Sequence, residues 1–152
     1  MPTKTNAKRT IEQVEVKSKR VLMRVDFNVP LNEKGEVTDD LRIRASLPSI
    51  QSVIKRGGRL ILISHLGRPE GTGFEEAYSL KPAAAKLEQL LGGTKVTFVG
   101  EDCLSEAAQK AVADLKDGQV LMLENLRFHA VENDGSADFA KRLALYGDIF
   151  CN

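Results

Sequence analysis

The sequence predicts an α/β fold in three layers, a parallel sheet with helices wound on both faces. Three apolar runs, residues 21–30, 59–65 and 120–125, are too short and too continuously apolar to be amphipathic helices. This composition is typical of strands covered on both faces. Stretches with helical spacing separate the runs, and crossovers of this length join parallel strands. One domain over residues 1–152 accounts for the pattern.

The first crossover contains a polar loop and then a predicted helix. The helix is expected to start or kink near Pro48, because proline removes a helical hydrogen bond. Gly57 and Gly58 form its predicted C-cap. Its apolar positions follow helical spacing: Leu47, Ile50, Val53 and Ile54.

Three more helices and two more strands follow in order. Ser79 is the predicted N-cap of the second helix, with Pro82 in its first turn and Gly92–Gly93 at its end. The remaining elements are a strand at 95–99, a helix at 105–116 that ends at Gly118, a helix at 137–146 and a strand at 148–152.

Composition excludes several classes of protein. The hydrophobic fraction is 42%, the charged fraction 28% and the net charge +1, so a nucleic-acid footprint is not expected. No apolar run has the length of a membrane span, and the N-terminus lacks the apolar core of a secretory signal. Two separate cysteines favour neither a disulfide scaffold nor a zinc site, so a cytoplasmic location is predicted.

Polar residues occupy every second position of the first apolar run. Arg24, Asp26 and Asn28 would therefore share one face of an extended segment, opposite its apolar residues. Charges in an apolar strand cost desolvation free energy unless they are paired. Two interpretations remain open, a structural Arg24–Asp26 pair or a functional site.

Two later runs also end in polar residues, which favours a site. His65 and Arg68 follow the second run, and Arg127 follows the third. Ligands of open α/β sheets bind beyond the carboxyl ends of the strands, and the arginine fork suits phosphate or carboxylate. We therefore expect an anion site, in preference to a solvated basic rim.

Nearby residues of similar chemistry receive structural interpretations. Glu124 is predicted to be the structural partner of an arginine, and His129 to be a surface residue. Neither histidine has a second ligand at metal-binding spacing. The glycine cluster at 67–73 lacks the spacing of a nucleotide-binding loop and is interpreted as a flexible loop.

Four segments together resemble the phosphoglycerate kinase family. They read R-V-D-F-N-V-P at 24–30, D-L-R-I-R-A-S-L-P-S-I at 40–50, S-H-L-G-R-P at 64–69 and L-E-N-L-R-F-H at 123–129. The resemblance implies the Rossmann-like, N-terminal, 3-phosphoglycerate-binding domain of a two-domain kinase. The chain stops before that domain's expected end, and the nucleotide-binding domain would be absent.

The resemblance also implies an activity and assigns residues to it. The activity is reversible phosphoryl transfer between 1,3-bisphosphoglycerate and ADP in glycolysis, giving 3-phosphoglycerate and ATP. Asp26 and Asn28 would hold the hydroxyl and carboxylate side of the substrate. His65, Arg68 and Arg127 would bind its carboxylate and phosphate end. Arg42 would be the catalytic arginine, a role that the residues alone do not distinguish from that of a solvated charge.

Further expectations concern the whole enzyme and the isolated chain. The complete enzyme would use Mg-ATP or Mg-ADP at a site absent from this chain, and would be a monomer. The chain alone is expected to be inactive. A stand-alone anion-binding domain without catalysis is the alternative. Ile149 and Phe150 are expected close to solvent, at a sheet edge that promotes self-association.

Overall fold

Five parallel strands form one sheet in the part of the chain that the structure describes. The structure is a computed structural model and describes residues 11–66, 78–126 and 137–151, except for the side chains of residues 137–140. The strands, in chain order, are β1 (Arg20–Arg24), β2 (Arg59–Ile63), β3 (Val96–Val99), β4 (Val120–Leu123) and β5 (Ile149–Cys151). Their order across the sheet is β3-β4-β2-β1-β5. The register places Val21 of β1 beside Leu60 of β2 and Ile149 of β5.

Helices cover both faces of the sheet, which confirms the doubly wound prediction. They are α1 (Leu41–Lys55), α2 (Lys81–Leu91), α3 (Glu106–Asp114) and α4 (Ala137–Ala144), and a short 3₁₀ helix spans Ile11–Gln13. Buried residues of α1 and α2 join one apolar cluster, while those of α3 and α4 join the other. Strand alternation divides the core in the same way, because Met23 enters the first cluster and Leu22 the second. Of the helices in the described ranges, none combines the length and apolar character that a membrane crossing requires.

The predicted end of α2 is confirmed, whereas α3 ends at Asp114, before the predicted Lys116 and Gly118. Gly92 ends α2 with a φ of 68°, a left-handed conformation that glycine adopts without steric cost. Ser105 caps α3, since its Oγ accepts a hydrogen bond from Ala108 N at 3.1 Å. At the start of α2 the capping position belongs to Leu80, one residue after the predicted Ser79. Ser79 Oγ still accepts a hydrogen bond from Lys81 N at 3.2 Å.

Of the two expectations at Pro48, a helix start or a kink, the helix start was wrong. The helix begins at Leu41 and passes through Pro48 without ending. Ile43 is fully buried four positions before Leu47, so the apolar face extends one turn further toward the N-terminus than the prediction allowed.

The first apolar run is strand only in its first part. Regular strand structure stops at Arg24, and Val25 N adds one further hydrogen bond to Ile63 O at 2.9 Å. The next amides leave the ladder, since Phe27 N donates to Ser64 Oγ at 3.0 Å. Buried and exposed side chains nevertheless continue to alternate along the segment as predicted, because Phe27 and Val29 are buried and Asp26 is exposed. The segment is extended and half-buried without being a sheet strand.

The sheet has a topological switch point between β2 and β4. These strands are neighbours in the sheet, yet α2 follows β2 on one face and α4 follows β4 on the other. Connections that depart to opposite faces leave space at the carboxyl ends of such strands, where α/β proteins bind ligands. Ser64 and His65 follow β2 at this point, and Glu124 and Asn125 follow β4.

Candidate functional site

An open cleft of about 490 Å³ lies at the carboxyl end of β1. Two of the predicted site residues, Asp26 and His65, lie in its wall. The complete lining comprises Met23, Arg24, Val25, Asp26, Ala45, Ser46, Ser49, His65 and Cys151. The structure therefore brings Asp26, the basic side chain of Arg24, His65 and two serine hydroxyls around one open space.

Asp26, Asn28 and Arg42 form a connected group beside the cleft. Arg42 Nη1 donates to the carbonyl oxygen of Asn28 at 2.6 Å and lies 3.4 Å from Asp26 Oδ1. The same carboxylate oxygen accepts a hydrogen bond from Asn28 N at 3.2 Å. The Arg42 and Asp26 side chains are 52% and 64% exposed, so an ion pair between them contributes little to stability. Both groups are accessible to a ligand.

The position of Arg42 on α1 directs it to this cleft. Ala45, Ser46 and Ser49 follow it by three, four and seven residues, the spacing of one helix face, and all three line the cleft. Arg44 has different partners, because its Nε donates to Asp40 Oδ1 at 2.9 Å. This contact lowers the pKa of Asp40 below its ordinary value. Arg44 is thus held within the first turn of its own helix.

Ser64 links the segments that follow β1 and β2, and sequence reasoning did not single it out. Its side chain is fully buried, accepts from Phe27 N at 3.0 Å and donates to His65 O at 3.1 Å. A hydroxyl at the end of an apolar run was the available signal, because a buried hydroxyl requires partners. Ser64 therefore holds Phe27, which lies between Asp26 and Asn28, next to His65.

Arg68 and Arg127 lie outside the described residues, as do His129 and the glycine cluster at 67–73. The described residues that lead to them are in contact, since Leu126 N donates to Ser64 O at 3.1 Å. The residues that follow β2 and β4, from which the two arginines continue in sequence, therefore lie side by side.

Glu124 has backbone and hydroxyl partners among the described residues. Its carboxylate oxygens accept hydrogen bonds from Ser79 Oγ at 2.7 Å, Leu80 N at 2.8 Å and Asn125 N at 2.9 Å. The side chain is only 1% exposed, so these donors replace the water lost on burial. The predicted pairing of Glu124 with an arginine stays a prediction, since Arg68 and Arg127 lie outside the described residues.

Cys151 is unsuited to act as a nucleophile in the cleft. Burial, with a smaller contribution from Glu12, raises the pKa of its thiol. A raised pKa keeps the less reactive thiol form at neutral pH. Within the described ranges, no group of three or more His, Cys, Asp or Glu side chains could hold a metal ion.

The sequence matches a family of known proteins over most of its length. The family described as phosphoglycerate kinase matches residues 11–152. A phosphoglycerate kinase from Rhodopirellula baltica is 55% identical over 146 residues, which cover 96% of this chain and 36% of that protein. A phosphoglycerate kinase from Chlorobium chlorochromatii is 53% identical over 145 residues, which cover 95% of this chain and 36% of that protein. The chain thus spans little more than a third of the length of these relatives.

Two solved structures of phosphoglycerate kinases have a fold similar to that of this chain. The structure of phosphoglycerate kinase from Coxiella burnetii aligns with a TM-score of 0.76 at 35% identity, covering 90% of this chain and 33% of that one. The structure of phosphoglycerate kinase from Pyrococcus horikoshii aligns with a TM-score of 0.74 at 29% identity. The alignment covers 91% of this chain and 35% of that one. The five-stranded parallel architecture is therefore similar to part of each larger protein.

Proposed function

The chain belongs to the phosphoglycerate kinase family, and on that premise we propose that it forms the 3-phosphoglycerate-binding domain of such an enzyme. The proposed reaction is reversible. A phosphoryl group leaves the carboxyl oxygen of 1,3-bisphosphoglycerate and bonds to the terminal phosphate of ADP, giving 3-phosphoglycerate and ATP. Phosphoryl transfer depends mainly on positioning and on stabilising the charge of the transferring oxygens.

One observation carries the proposal. Arg42 contacts Asp26 and the Asn28 carbonyl, and Asp26 lines the same cleft as His65. The Asp26 carboxylate is suited to accept a hydrogen bond from the substrate hydroxyl, and Asn28 to bind on the same side. We assign the carboxylate and phosphate end of the substrate to His65, Arg68 and Arg127. The guanidinium groups of the two arginines bind such anions in bidentate geometry.

Arg42 is assigned the catalytic role. Its guanidinium bonds to a neutral backbone carbonyl at 2.6 Å and lies near a carboxylate at 3.4 Å, and half of the side chain is exposed. A negatively charged phosphoryl group is a stronger partner for the guanidinium than a carbonyl oxygen. We infer that Arg42 exchanges the Asn28 carbonyl for the transferring phosphoryl group and stabilises its charge.

Among the described residues no group of three or more His, Cys, Asp or Glu side chains could hold a metal ion, and we propose no magnesium–nucleotide site there. We assign the nucleotide-binding site to another part of a longer polypeptide. This assignment agrees with the length of the Rhodopirellula baltica relative, of which this chain covers only 36%. A polypeptide of residues 1–152 alone is therefore expected to show no turnover. Family membership favours this function over the alternative of a non-catalytic anion-binding domain.

Titration of the ¹⁵N-labelled 152-residue polypeptide with 3-phosphoglycerate tests the proposal. Resonances of Asn28, His65 and Arg127 should move together. The affinity should fall as salt is raised, since exposed charges are screened beyond about 8 Å at physiological ionic strength.

Two single variants provide the control. Arg127→Ala should abolish the response, whereas His129→Ala, two residues further along, should preserve it. Equal losses in both variants would indicate a diffuse basic rim and contradict a defined binding site.

A further inference from the structure

The hydroxyl group of Ser64 lies where the hydrogen-bond ladder between β1 and β2 stops. The side chain is fully buried, and its Oγ accepts from Phe27 N at 3.0 Å and donates to His65 O at 3.1 Å. These two partners belong to the segments that follow β1 and β2. The hydroxyl therefore connects the backbones of two segments that both contribute to the cleft.

The register of the sheet identifies Phe27 N and His65 O as the next donor and acceptor of the ladder. The last backbone bond between the two segments runs from Val25 N to Ile63 O at 2.9 Å. In a parallel ladder, donors recur at every second residue of one strand and acceptors at every second residue of its neighbour. The following bond would therefore join Phe27 N directly to His65 O. In the structure the Ser64 hydroxyl takes up both groups instead.

The inserted hydroxyl keeps the two segments apart. A direct bond would bring the donor and the acceptor into contact, whereas here an oxygen atom lies between them. Ser64 is itself held from the side of β4, because its carbonyl oxygen accepts from Leu126 N at 3.1 Å. The segment after β1 is therefore spaced from a fixed point.

The geometry points to Ser64 as a positioning residue that sets the distance between Asp26 and His65 across the cleft, an inference that rests on the proposed function. Asp26 directly precedes Phe27, His65 directly follows Ser64, and both line the cleft. Two groups on different segments bind one ligand well only when their spacing is held, because misplacement reduces their effect steeply.

The need to satisfy buried polar groups does not by itself explain the hydroxyl. Phe27 N is a donor and His65 O an acceptor, so a direct ladder bond would satisfy both without any side chain. What the serine adds to that bond is separation between the two backbones. The separation lies at the carboxyl ends of the strands, where α/β proteins bind ligands.

Ser64→Ala in the 152-residue polypeptide tests the inference. Without the hydroxyl, Phe27 N should pair directly with His65 O, which NMR detects as a scalar coupling between ¹⁵N of Phe27 and ¹³C′ of His65. The wild-type protein should lack this coupling. The altered spacing should also weaken 3-phosphoglycerate binding about tenfold, as expected for a displaced binding group.

A double-mutant cycle relates the loss of affinity to His65. In a His65→Ala background, Ser64→Ala should have little further effect, because the group whose distance it sets is already missing. The dissociation constants are measured by calorimetry at fixed salt. If Ser64→Ala does not fold, as judged by circular dichroism, Ser64→Cys takes its place in the cycle. The thiol is a weaker hydrogen-bonding group, and the affinity should again fall in a way that depends on His65.

A matched serine variant separates positioning from general loss of stability. Ser105→Ala removes the same kind of bond, a hydroxyl that accepts from a backbone amide, here from Ala108 N at 3.1 Å at the start of α3. Ser105 does not line the cleft. This variant should leave the dissociation constant unchanged.

The outcomes are distinct. A coupling that appears only in Ser64→Ala, together with a loss of affinity that depends on His65, supports the inference. A coupling already present in the wild type or still absent in folded Ser64→Ala would overturn it. So would additive losses, an equal loss in Ser105→Ala, or full affinity in the folded Ser64 variant while Asp26→Ala still weakens binding, and these results would leave the proposed function standing. Unchanged binding in both Asp26→Ala and His65→Ala would overturn the proposed site and this inference with it.

Discussion

Two arginines separated by one residue on α1 differ in their tertiary contacts. Arg42 reaches across to Asp26 and the Asn28 carbonyl after β1, whereas Arg44 pairs with Asp40 at the start of its own helix. Local sequence does not separate them, because both are exposed charges near a helix start. Their difference arises from the direction of each side chain relative to the sheet.

Tyr146 provides a prediction at the scale of one residue. Its Oη donates to Cys103 O at 2.7 Å, and burial raises the pKa of the phenol from 10.0 to about 12. Because the folded-state pKa is the higher one, this group's contribution to stability is present below pH 10 and is lost as the pH rises toward 12. Tyr146→Phe should cost about 0.5–1.5 kcal/mol at neutral pH, from the lost hydrogen bond.

Urea unfolding of both proteins over the alkaline range checks this. The wild-type protein should lose stability more steeply than Tyr146→Phe between pH 10 and about 12, so that the gap between them narrows. Lysines and the other tyrosine titrate in both proteins and cancel in the comparison. Parallel curves would show that burial of the Tyr146 hydroxyl does not control alkaline stability.

At the scale of elements, the apolar pattern predicted which helices and strands exist better than it predicted where each one begins and ends. The central strands were recognised because each is apolar on both faces, and the two-sided sheet followed from the alternation with helices. The end of β1 was missed because burial alternates through Phe27 and Val29 after the strand hydrogen bonds have ended. Only the position of Ser64, a tertiary partner, reveals where the ladder stops.

The candidate site was likewise predictable from the sequence only in part. The strand-end rule predicted that five residues would lie together: Asp26, Asn28, His65, Arg68 and Arg127. Of these, Asp26 and His65 line the cleft, while Arg68 and Arg127 lie outside the described residues. The partners of Glu124 were not predictable in this way, because they depend on how the chain returns at Ser79 and Leu80. Sequence patterns assign residues to strand ends, while hydrogen-bond partners depend on loop paths.

Gly147 controls the attachment of the edge strand β5. A Cβ atom at this position would lie 2.7 Å from Leu22 Cβ and 3.0 Å from Ile149 O. Neither atom can rotate away, so Gly147→Ala should destabilise the fold by about 1–3 kcal/mol, the range for overpacked sites. Gly93→Ala is the matched control, since nothing lies within 4 Å of its added Cβ.

Chemical denaturation of the two glycine variants gives the test. The Gly147→Ala protein should unfold at lower urea concentration than the wild type. Gly93→Ala should remain within about 0.5 kcal/mol of it. Equal midpoints for the two variants would mean that β5 does not need the close approach to β1.

At the scale of the whole molecule, apolar surface is exposed around the sheet edge. Phe150 on β5 is 60% exposed and Leu145, just after α4, is 80% exposed. The prediction that Phe150 lies close to solvent is confirmed, and Ile149 beside it is half-buried. Edge strands with exposed apolar side chains promote association between molecules.

Phe150→Thr should therefore reduce self-association of the 152-residue polypeptide. Threonine keeps a high preference for strand structure while removing apolar surface. Leu41→Thr serves as the control, because Leu41 is 69% exposed and belongs to α1 rather than to β5. Sedimentation velocity over a range of concentrations should show weaker association only in Phe150→Thr. The same decrease in both variants would contradict a specific role for the β5 edge.

The most direct test of the proposed function is the activity of a chimera. In it, residues 11–152 of this chain replace the matching part of the Rhodopirellula baltica relative, and turnover is followed with ATP and 3-phosphoglycerate. We expect the chimera to be active and the 152-residue polypeptide alone to be inactive. Arg42→Ala should lower kcat by about 10²–10³-fold, as for other groups that stabilise transition-state charge, while Arg44→Ala leaves kcat unchanged. A folded Arg42→Ala chimera with full kcat, or turnover by the purified 152-residue polypeptide, would contradict the account.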